Sequence, residues 1–198
     1  MESTIKQKSR VRLATVLDID PILAIEQSRR YDATNHSEGF LVKLMDGVEL
    51  ERFLGTRGKF LWVYDSGQHY EGGKGVEGYL AAYDKQEWLK NDRSLIEAEV
   101  NAEGKRILTG NWIYGRHIAK ARDASGRIPI ELENTFFDYA KEKGYPFAVA
   151  EIALAPFNER SYRFNTQAMG WQQIGTSKSK DVSWAIMCKK LSGGKNGN

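Results

Sequence analysis

The sequence predicts an α/β protein built on one mixed, mostly antiparallel sheet of about seven strands, with helices on both faces. Three observations predict this class. Strand-like and helix-like segments alternate along most of the chain. Residues 147–154 form a nearly continuous apolar run, which is typical of a strand buried on both faces. Residues 66–75 contain four glycines between two strand-like segments, which indicates a hairpin loop.

The individual elements follow from periodicity and from turn residues. The predicted strands cover residues 10–15, 59–65, 76–84, 107–121, 147–154, 171–174 and 182–189. The predicted helices follow caps or prolines and pass through residues 22–25 and 50–54, from residue 129 to residue 144, and over residues 158–169. Residues 86–104 are charged, with apolar residues between, and we predict one or two short helices there on a surface insertion.

Length and composition favour one ordinary globular domain. The chain has 198 residues, of which 41% are hydrophobic and 28% charged. We therefore predict one domain over residues 1–191 and a disordered tail over residues 192–198. No apolar run approaches the 18 residues that suggest a membrane span. Cys188 is the only cysteine and cannot form an internal disulfide, which favours a reducing, cytoplasmic location.

Charge and ligand spacing argue against two other classes of site. The net charge is +3, but no basic stripe with interleaved aromatic residues is present, so nucleic-acid binding is the least favoured hypothesis. Three well-separated histidines and one cysteine give no cluster at the spacing of a metal site, so we predict no metal.

Four local features occur in a fixed order along the chain. They are a strand and helix over residues 11–26, a Gly-containing strand over 78–82, a polar turn into a helix over 124–129, and a segment over 155–161 that is followed by Met169-Gly170-Trp171. Together they resemble the GNAT-type N-acetyltransferase superfamily, over residues 11–191. The resemblance implies a GNAT-like domain that transfers an acetyl group from acetyl-CoA to a primary amine. The alternative is a catalytically degenerate acyl-CoA-binding or regulatory module.

The resemblance also assigns a donor site. A turn that runs into a helix N-terminus presents unpaired N–H groups and a positive dipole end, which suit a pyrophosphate. In the family, the strand before this turn splays from the next strand, so residues 111–121 and 147–154 are expected to separate here. The residues that the resemblance assigns to coenzyme A are Ile118, Ala119, Lys120, Arg122, Ser125, Gly126, Arg127, Ile128 and Asn158.

The phosphate turn departs from the family pattern Q/R-x-x-G-x-G/A. Placements that start at Arg122, Asp123 or Ala124 all lose at least one of the two small residues. Pro129 also lacks an N–H group, so one phosphate donor is missing. Arg122 and Arg127 are expected to compensate with charge-assisted contacts.

Two side chains are candidates for the general base of an acetyl transfer. His117 lies at the strand position that usually faces the acceptor, and histidine titrates near neutrality. Glu151 interrupts the apolar run of residues 147–154, where a carboxylate must be satisfied or protonated. Strand alternation predicts that His117 shares a face with Ile113 and Gly115, opposite a face that carries Trp112, Tyr114 and Arg116.

The general acid of the family is a tyrosine seven residues after the helix-opening asparagine, near the departing thiolate. That count from Asn158 reaches Asn165, and the count back from Gly170 reaches Thr166, because the segment has one extra residue. Tyr162 is the nearest tyrosine, about one helical turn earlier, and is the candidate.

The acceptor is not specified by a motif. The resemblance implies that residues 29–38, 65–75 and 86–104 shape its site. Asp32, Glu38 and Glu71 in these segments would suit a cationic amine, carried by a small molecule or a peptide. A homodimer is left open.

Overall fold

The computed structural model of the chain describes residues 10–34, 39–67, 75–92, 94–179 and 181–191. Eight strands form one sheet in the order β1-β2-β3-β5-β6-β8-β7-β4. They are β1 Val11–Leu13, β2 Lys59–Asp65, β3 Val76–Asp84, β4 Glu99–Val100, β5 Ile113–Lys120, β6 Phe147–Ala155, β7 Gln172–Ser179 and β8 Val182–Lys190. Strands β5 and β6 are parallel and the other neighbours are antiparallel. The predicted fold class is therefore confirmed, with one strand more than expected.

Six α-helices cover the two faces of this sheet over the described residues. They are α1 Ile19–Ser28, α2 Gly47–Gly55, α3 Lys85–Asn91, α4 Ala102–Thr109, α5 Ile128–Glu142 and α6 Glu159–Arg163. A 3₁₀ turn over Val16–Asp18 precedes α1, and a π turn over Phe164–Ala168 continues α6. Apolar residues of α1 to α4 pack on one face of the sheet, and those of α5 pack on the other.

The segment between β3 and β5 differs from the prediction. Residues 107–121 do not form one long strand, because the Asn101 side chain caps α4 by accepting the Gly104 N–H at 2.7 Å, and the strand begins only at Ile113. The predicted insertion is not confined to the surface either. Trp88 and Leu95 are buried in the core, and β4 pairs with β7 at the sheet edge.

Some predictions fall outside the described residues. These are the disordered tail at 192–198, the middle of the hairpin loop at 68–74, and the candidate acceptor residues Glu38 and Glu71. None of the described helices is both long enough and apolar enough to cross a membrane.

Strands β5 and β6 separate along their length, as the family resemblance implied. Their pairing runs only from Ile113 opposite Ala148 to Gly115 opposite Ala150. Beyond this point β5 continues along β3, and β6 continues along β8. The facing edges of β5 and β6 therefore leave a gap in the middle of the sheet.

A β-bulge in β5 corrects the predicted orientation of His117. Ala81 lies opposite His117 and Ala82 opposite Gly115, so Arg116 is an extra residue in the ladder. An extra residue reverses the alternation of side chains beyond it. Tyr114, before the bulge, and His117, after it, therefore both lie on the face that carries α1 and α2.

Helix α5 packs closely on β3 because Gly78 has no side chain. A Cβ atom at this position would lie 2.5 Å from Ile128 Cγ2 and 3.1 Å from the Ala119 carbonyl oxygen. We expect Gly78→Ala to displace the first turn of α5 and to lower the free energy of unfolding by about 1–3 kcal/mol. Urea denaturation measures this. Gly126→Ala is the control, since no atom lies within 4 Å of a Cβ there; equal losses in both variants would contradict the prediction.

Candidate functional site

A cavity of about 640 Å³ occupies the gap between β5 and β6. Residues 115–118 of β5 form one wall and residues 150–153 of β6 form the other. Residues of α2 line it on one side of the sheet, and Glu133 and Phe136 of α5 line it on the other side. The cavity therefore reaches both faces of the sheet, and its volume is that of a typical small-molecule site.

His117 lies in this cavity with one ring nitrogen held by a buried carboxylate. Its Nδ1 is 3.0 Å from Glu26 Oε1, and the same oxygen accepts the Tyr79 hydroxyl. The Met45 N–H donates to Glu26 Oε2 at 3.2 Å. Glu26 and Tyr79 are fully buried, while the His117 side chain keeps 10% of its surface exposed.

This network determines which ring nitrogen of His117 carries the proton. Burial, with the neighbouring Glu26 carboxylate, raises the pKa of Tyr79 well above its ordinary value, so its hydroxyl stays a donor. Glu26 is thus surrounded by donors, and the hydrogen bond to His117 places the imidazole proton on Nδ1. In this tautomer the lone pair on Nε2 is the one that can accept a proton.

Glu151 lies across the gap but has both oxygens occupied. The Tyr114 hydroxyl donates to Oε2 at 2.9 Å, and the Ser177 hydroxyl donates to Oε1 at 2.5 Å. Burial raises the pKa of Glu151, and these two hydrogen bonds oppose that rise. Each oxygen keeps a second lone pair, so Glu151 can still accept a proton while both hydroxyl donors stay in place.

The α5 side of the cavity contains a second buried acid. Glu133 is 3% exposed, and its Oε2 accepts the Trp171 indole N–H at 3.1 Å. Burial raises the pKa of Glu133 to about 7, although the indole hydrogen bond lowers it. The backbone N–H of Trp171 donates to the Asn165 carbonyl at 2.9 Å, which joins α5 to the π turn.

Comparison with known proteins gives a consistent fold. No family model matches the chain, and no curated protein matches it. An N-acetyltransferase from Staphylococcus aureus Mu50 is 19% identical, with a TM-score of 0.60 over 94% of this chain and 100% of that one. The ribosomal-protein-alanine N-acetyltransferase of Brucella melitensis is 20% identical, with a TM-score of 0.56 over 91% and 99%. The chain has the GNAT N-acetyltransferase fold.

Arabidopsis thaliana NAA60, in a structure with acetyl-CoA, shares this fold at 11% identity. Its TM-score is 0.63 over 92% of this chain and 98% of that chain. In the sequence analysis, the family resemblance assigned acetyl-CoA to two features of this chain. They are the gap between β5 and β6 and the turn that leads into α5.

The turn between β5 and α5 is organised by Lys120. Its ammonium contacts the carbonyl oxygens of Ala121, Arg122 and Ala124 at 3.2, 3.1 and 2.6 Å. In a trans peptide the C=O and N–H groups point in opposite directions. The three N–H groups attached to these carbonyls, those of Arg122, Asp123 and Ser125, therefore point away from the ammonium.

The remaining residues that were assigned to this turn lie outside the cavity. Ser125, Gly126 and Arg127 are exposed, and Ile128 is fully buried beneath β3. The Arg122 guanidinium is exposed too, but it donates twice to the Ser28 carbonyl, at 2.7 and 3.1 Å. This contact ties the turn to the end of α1, so Arg122 is not simply a free cation for phosphate.

Ile118 and Asn158, which were also assigned to coenzyme A, line the cavity, whereas Ala119 does not. Ala119 is buried in the core on the other face. Asn158 caps α6 by accepting the Ser161 N–H at 3.3 Å, and its Nδ2 donates to the Phe40 carbonyl at 2.8 Å. The Asn158 side chain therefore holds the segment before α2 against the cavity.

The structure does not bring Tyr162 to the cavity. Its hydroxyl donates to Gln173 Oε1 at 2.9 Å, its ring lies against Phe157, and it is not among the described residues that line the cavity. The extra residue of this segment is taken up by the π turn over Phe164–Ala168. Asn165 in that turn is buried and lines the cavity instead.

Sequence reasoning missed two of the buried acids, although each had a signal. Glu26 follows Ile22 by four residues and Glu133 precedes Phe136 by three, so each acid shares a helix face with a core residue. A carboxylate on the apolar face of a helix must be paired or neutral.

Proposed function

We propose that the chain is an N-acetyltransferase that moves the acetyl group of acetyl-CoA to a primary amine. The observation that carries this proposal is the cavity through the β5–β6 gap, with the Nε2 of His117 on one side of the sheet and the turn before α5 beyond the other. Solved structures with this fold, among them NAA60 with acetyl-CoA, support the choice of donor.

The donor is proposed to enter along α5. Its pyrophosphate lies against the N–H groups that Lys120 turns outward and against the positive end of the 15-residue helix α5. The pantetheine arm follows the gap, where the edge of β5 beyond Gly115 has no β6 partner. A β5 backbone N–H near Ile118 holds the thioester carbonyl oxygen and stabilises the charge that develops on it.

His117 is proposed as the general base. The amine nitrogen attacks the thioester carbonyl carbon with its lone pair, and His117 Nε2 takes the proton that this nitrogen loses. Glu26 stabilises the resulting imidazolium and keeps the ring in the required tautomer. The tetrahedral intermediate then collapses to the amide as the carbon–sulfur bond breaks and its electron pair goes to sulfur.

The acceptor side carries charges of both signs. The cavity-lining acids there, besides Glu151, are Asp46, Glu49 and Asp92, and the cavity-lining bases, besides His117, are Lys43, Arg52, Lys59 and Arg116. Asp32 is not in this set, and its carboxylate accepts from Thr34 instead. This mixture suits a primary amine on a molecule that also carries a negative group, such as a peptide or a zwitterionic metabolite.

Melting with acetyl-CoA tests the donor first. Ligand at 100 times its Kd should stabilise the protein by about 2.7 kcal/mol. Thiol release is then followed with peptides, lysine, polyamines and aminoglycosides as acceptors. Absence of stabilisation by acetyl-CoA, CoA or longer acyl-CoAs would reject the proposal. Stabilisation without thiol release would favour an acyl-CoA-binding module, an alternative that the departures of the phosphate turn and the position of Tyr162 outside the cavity support.

Lys120→Met tests the proposed phosphate turn. Without the ammonium, the carbonyls of Ala121, Arg122 and Ala124 lose their shared partner and the N–H groups lose their common direction. We expect the Kd for CoA to rise about 10–100-fold, as for the loss of charge-assisted hydrogen bonds. Calorimetric titration measures it, with Lys141→Met on the outer face of α5 as the matched control. An unchanged Kd would show that Lys120 does not organise the site.

A further inference from the structure

Glu133 has no role in the transfer described so far, although it lines the cavity. The side chain is 3% exposed, and Oε2 accepts the Trp171 indole N–H. Over the part of the chain that the structure describes, Oε1 has no hydrogen-bond partner. Among the described residues, the fully enclosed polar side-chain atom without a partner is Arg116 Nε, so Glu133 Oε1 is open to the cavity and not enclosed. It is therefore available to a group that binds there.

The single hydrogen bond also locates the proton of the neutral acid. Oε2 already accepts from the indole, so the proton of a carboxylic acid lies on Oε1. Lys189 is the charged group that acts on Glu133 most directly, but its ammonium is held by the Met169 carbonyl at 2.7 Å. Burial outweighs the effect of this cation on the pKa of Glu133, so the neutral acid presents an O–H donor to the cavity.

Glu133 is also the titratable side chain on the side of the cavity where the donor is proposed to lie. Among the described lining residues, those from α5, α6, the π turn and Trp171 are Glu133, Phe136, Ser161, Asn165 and Trp171. Asn165 is an amide and cannot supply a proton, and its Nδ2 donates to the Ser161 carbonyl at 2.8 Å. His117 and Glu151 belong to the opposite face.

We propose that Glu133 is the general acid that protonates the sulfur of the departing coenzyme A. This proposal rests on the proposed transfer. When the carbon–sulfur bond breaks, its electron pair passes to sulfur, and sulfur takes the proton from Glu133 Oε1. The products are the amide, the free thiol, protonated His117 and the Glu133 carboxylate. His117 then releases its proton to solvent and Glu133 takes one from solvent, which restores both groups.

Glu133→Gln tests this step, since glutamine keeps an oxygen for the indole but cannot release a proton. We expect acetyl-CoA to bind within threefold of wild type, and transfer to slow by about 10²-fold or more. The wild-type rate should fall above neutral pH as the acid deprotonates, and the variant should lack that fall. With p-nitrophenyl acetate, whose leaving group needs no proton, the two proteins should transfer at similar rates. Glu142→Gln, at the exposed end of α5, is the control.

Three outcomes overturn the proposal. Equal rates of transfer from acetyl-CoA in wild type and Glu133→Gln would reject the role of Glu133 as general acid and would leave the proposed function standing. Equal losses with acetyl-CoA and p-nitrophenyl acetate would show that Glu133 only supports the fold. Wild-type protein that releases no thiol with any amine would reject the proposed function, and with it this step.

Discussion

We expect His117→Ala to lower kcat/KM for acetyl transfer by about 10²–10⁴-fold, the contribution of a positioned general base. The Nε2 of His117 has no hydrogen-bond partner among the described residues, whereas each oxygen of Glu151 accepts a hydroxyl donor. Thiol release at saturating acetyl-CoA, measured over a range of pH, checks this.

Glu26→Gln should also lower kcat/KM for acetyl transfer, but by less than His117→Ala does. A glutamine amide can turn its NH₂ group toward His117 Nδ1, which favours the tautomer with the proton on Nε2. That tautomer cannot accept the proton of the amine. Circular dichroism and melting confirm that the variant folds.

Glu151→Gln is the matched comparison, because it removes a buried carboxylate from the same cavity. We expect Glu151→Gln to lower kcat/KM by less than His117→Ala does. A larger loss would transfer the role of base to Glu151 and contradict our proposal.

Glu133 should also make the stability of the protein fall as pH rises. Burial raises its pKa from the ordinary 4.5 to about 7, so the folded protein holds this proton more tightly than the unfolded chain. The stabilisation is complete below pH 4.5 and is lost as pH rises through 7. The difference corresponds to about 3 kcal/mol, fully lost by about pH 8.

Urea unfolding of wild type and Glu133→Gln at pH 5 and pH 8 measures this linkage. Relative to the variant, wild type should be less stable at pH 8 than at pH 5 by about 2.5 kcal/mol, because part of the stabilisation is already lost at pH 5. The free energy of unfolding of the control Glu142→Gln should change with pH as that of wild type does. Parallel curves for wild type and Glu133→Gln would contradict the prediction.

The sheet could be predicted because its strands have local signatures. The apolar run of residues 147–154 became β6, and the segments on either side of the glycine-rich loop became β2 and β3. The two-residue β4 could not be predicted, since so short a strand has no periodicity and exists only through its pairing with β7. Residues 107–109 were assigned to a strand because the apolar pair Ile107–Leu108 fits either period.

The candidate site was predicted in part. His117, Glu151, Ile118 and Asn158 all line the cavity. The partner of His117 could not be found from the sequence, since Glu26 lies 91 residues away and meets it only through the packing of α1 on the sheet. The bulge at Arg116 likewise has no local sequence signal, and it decides which face His117 occupies.

The π turn over Phe164–Ala168 makes the cavity wall unusually sensitive to chain length. Deleting one residue there would restore α-helical spacing and rotate the preceding helix by about 100° relative to Gly170. Asn165 would then swing out of the cavity and a neighbouring side chain would replace it. A single codon gained or lost in this helix can therefore exchange the group that faces the donor while the sheet stays unchanged.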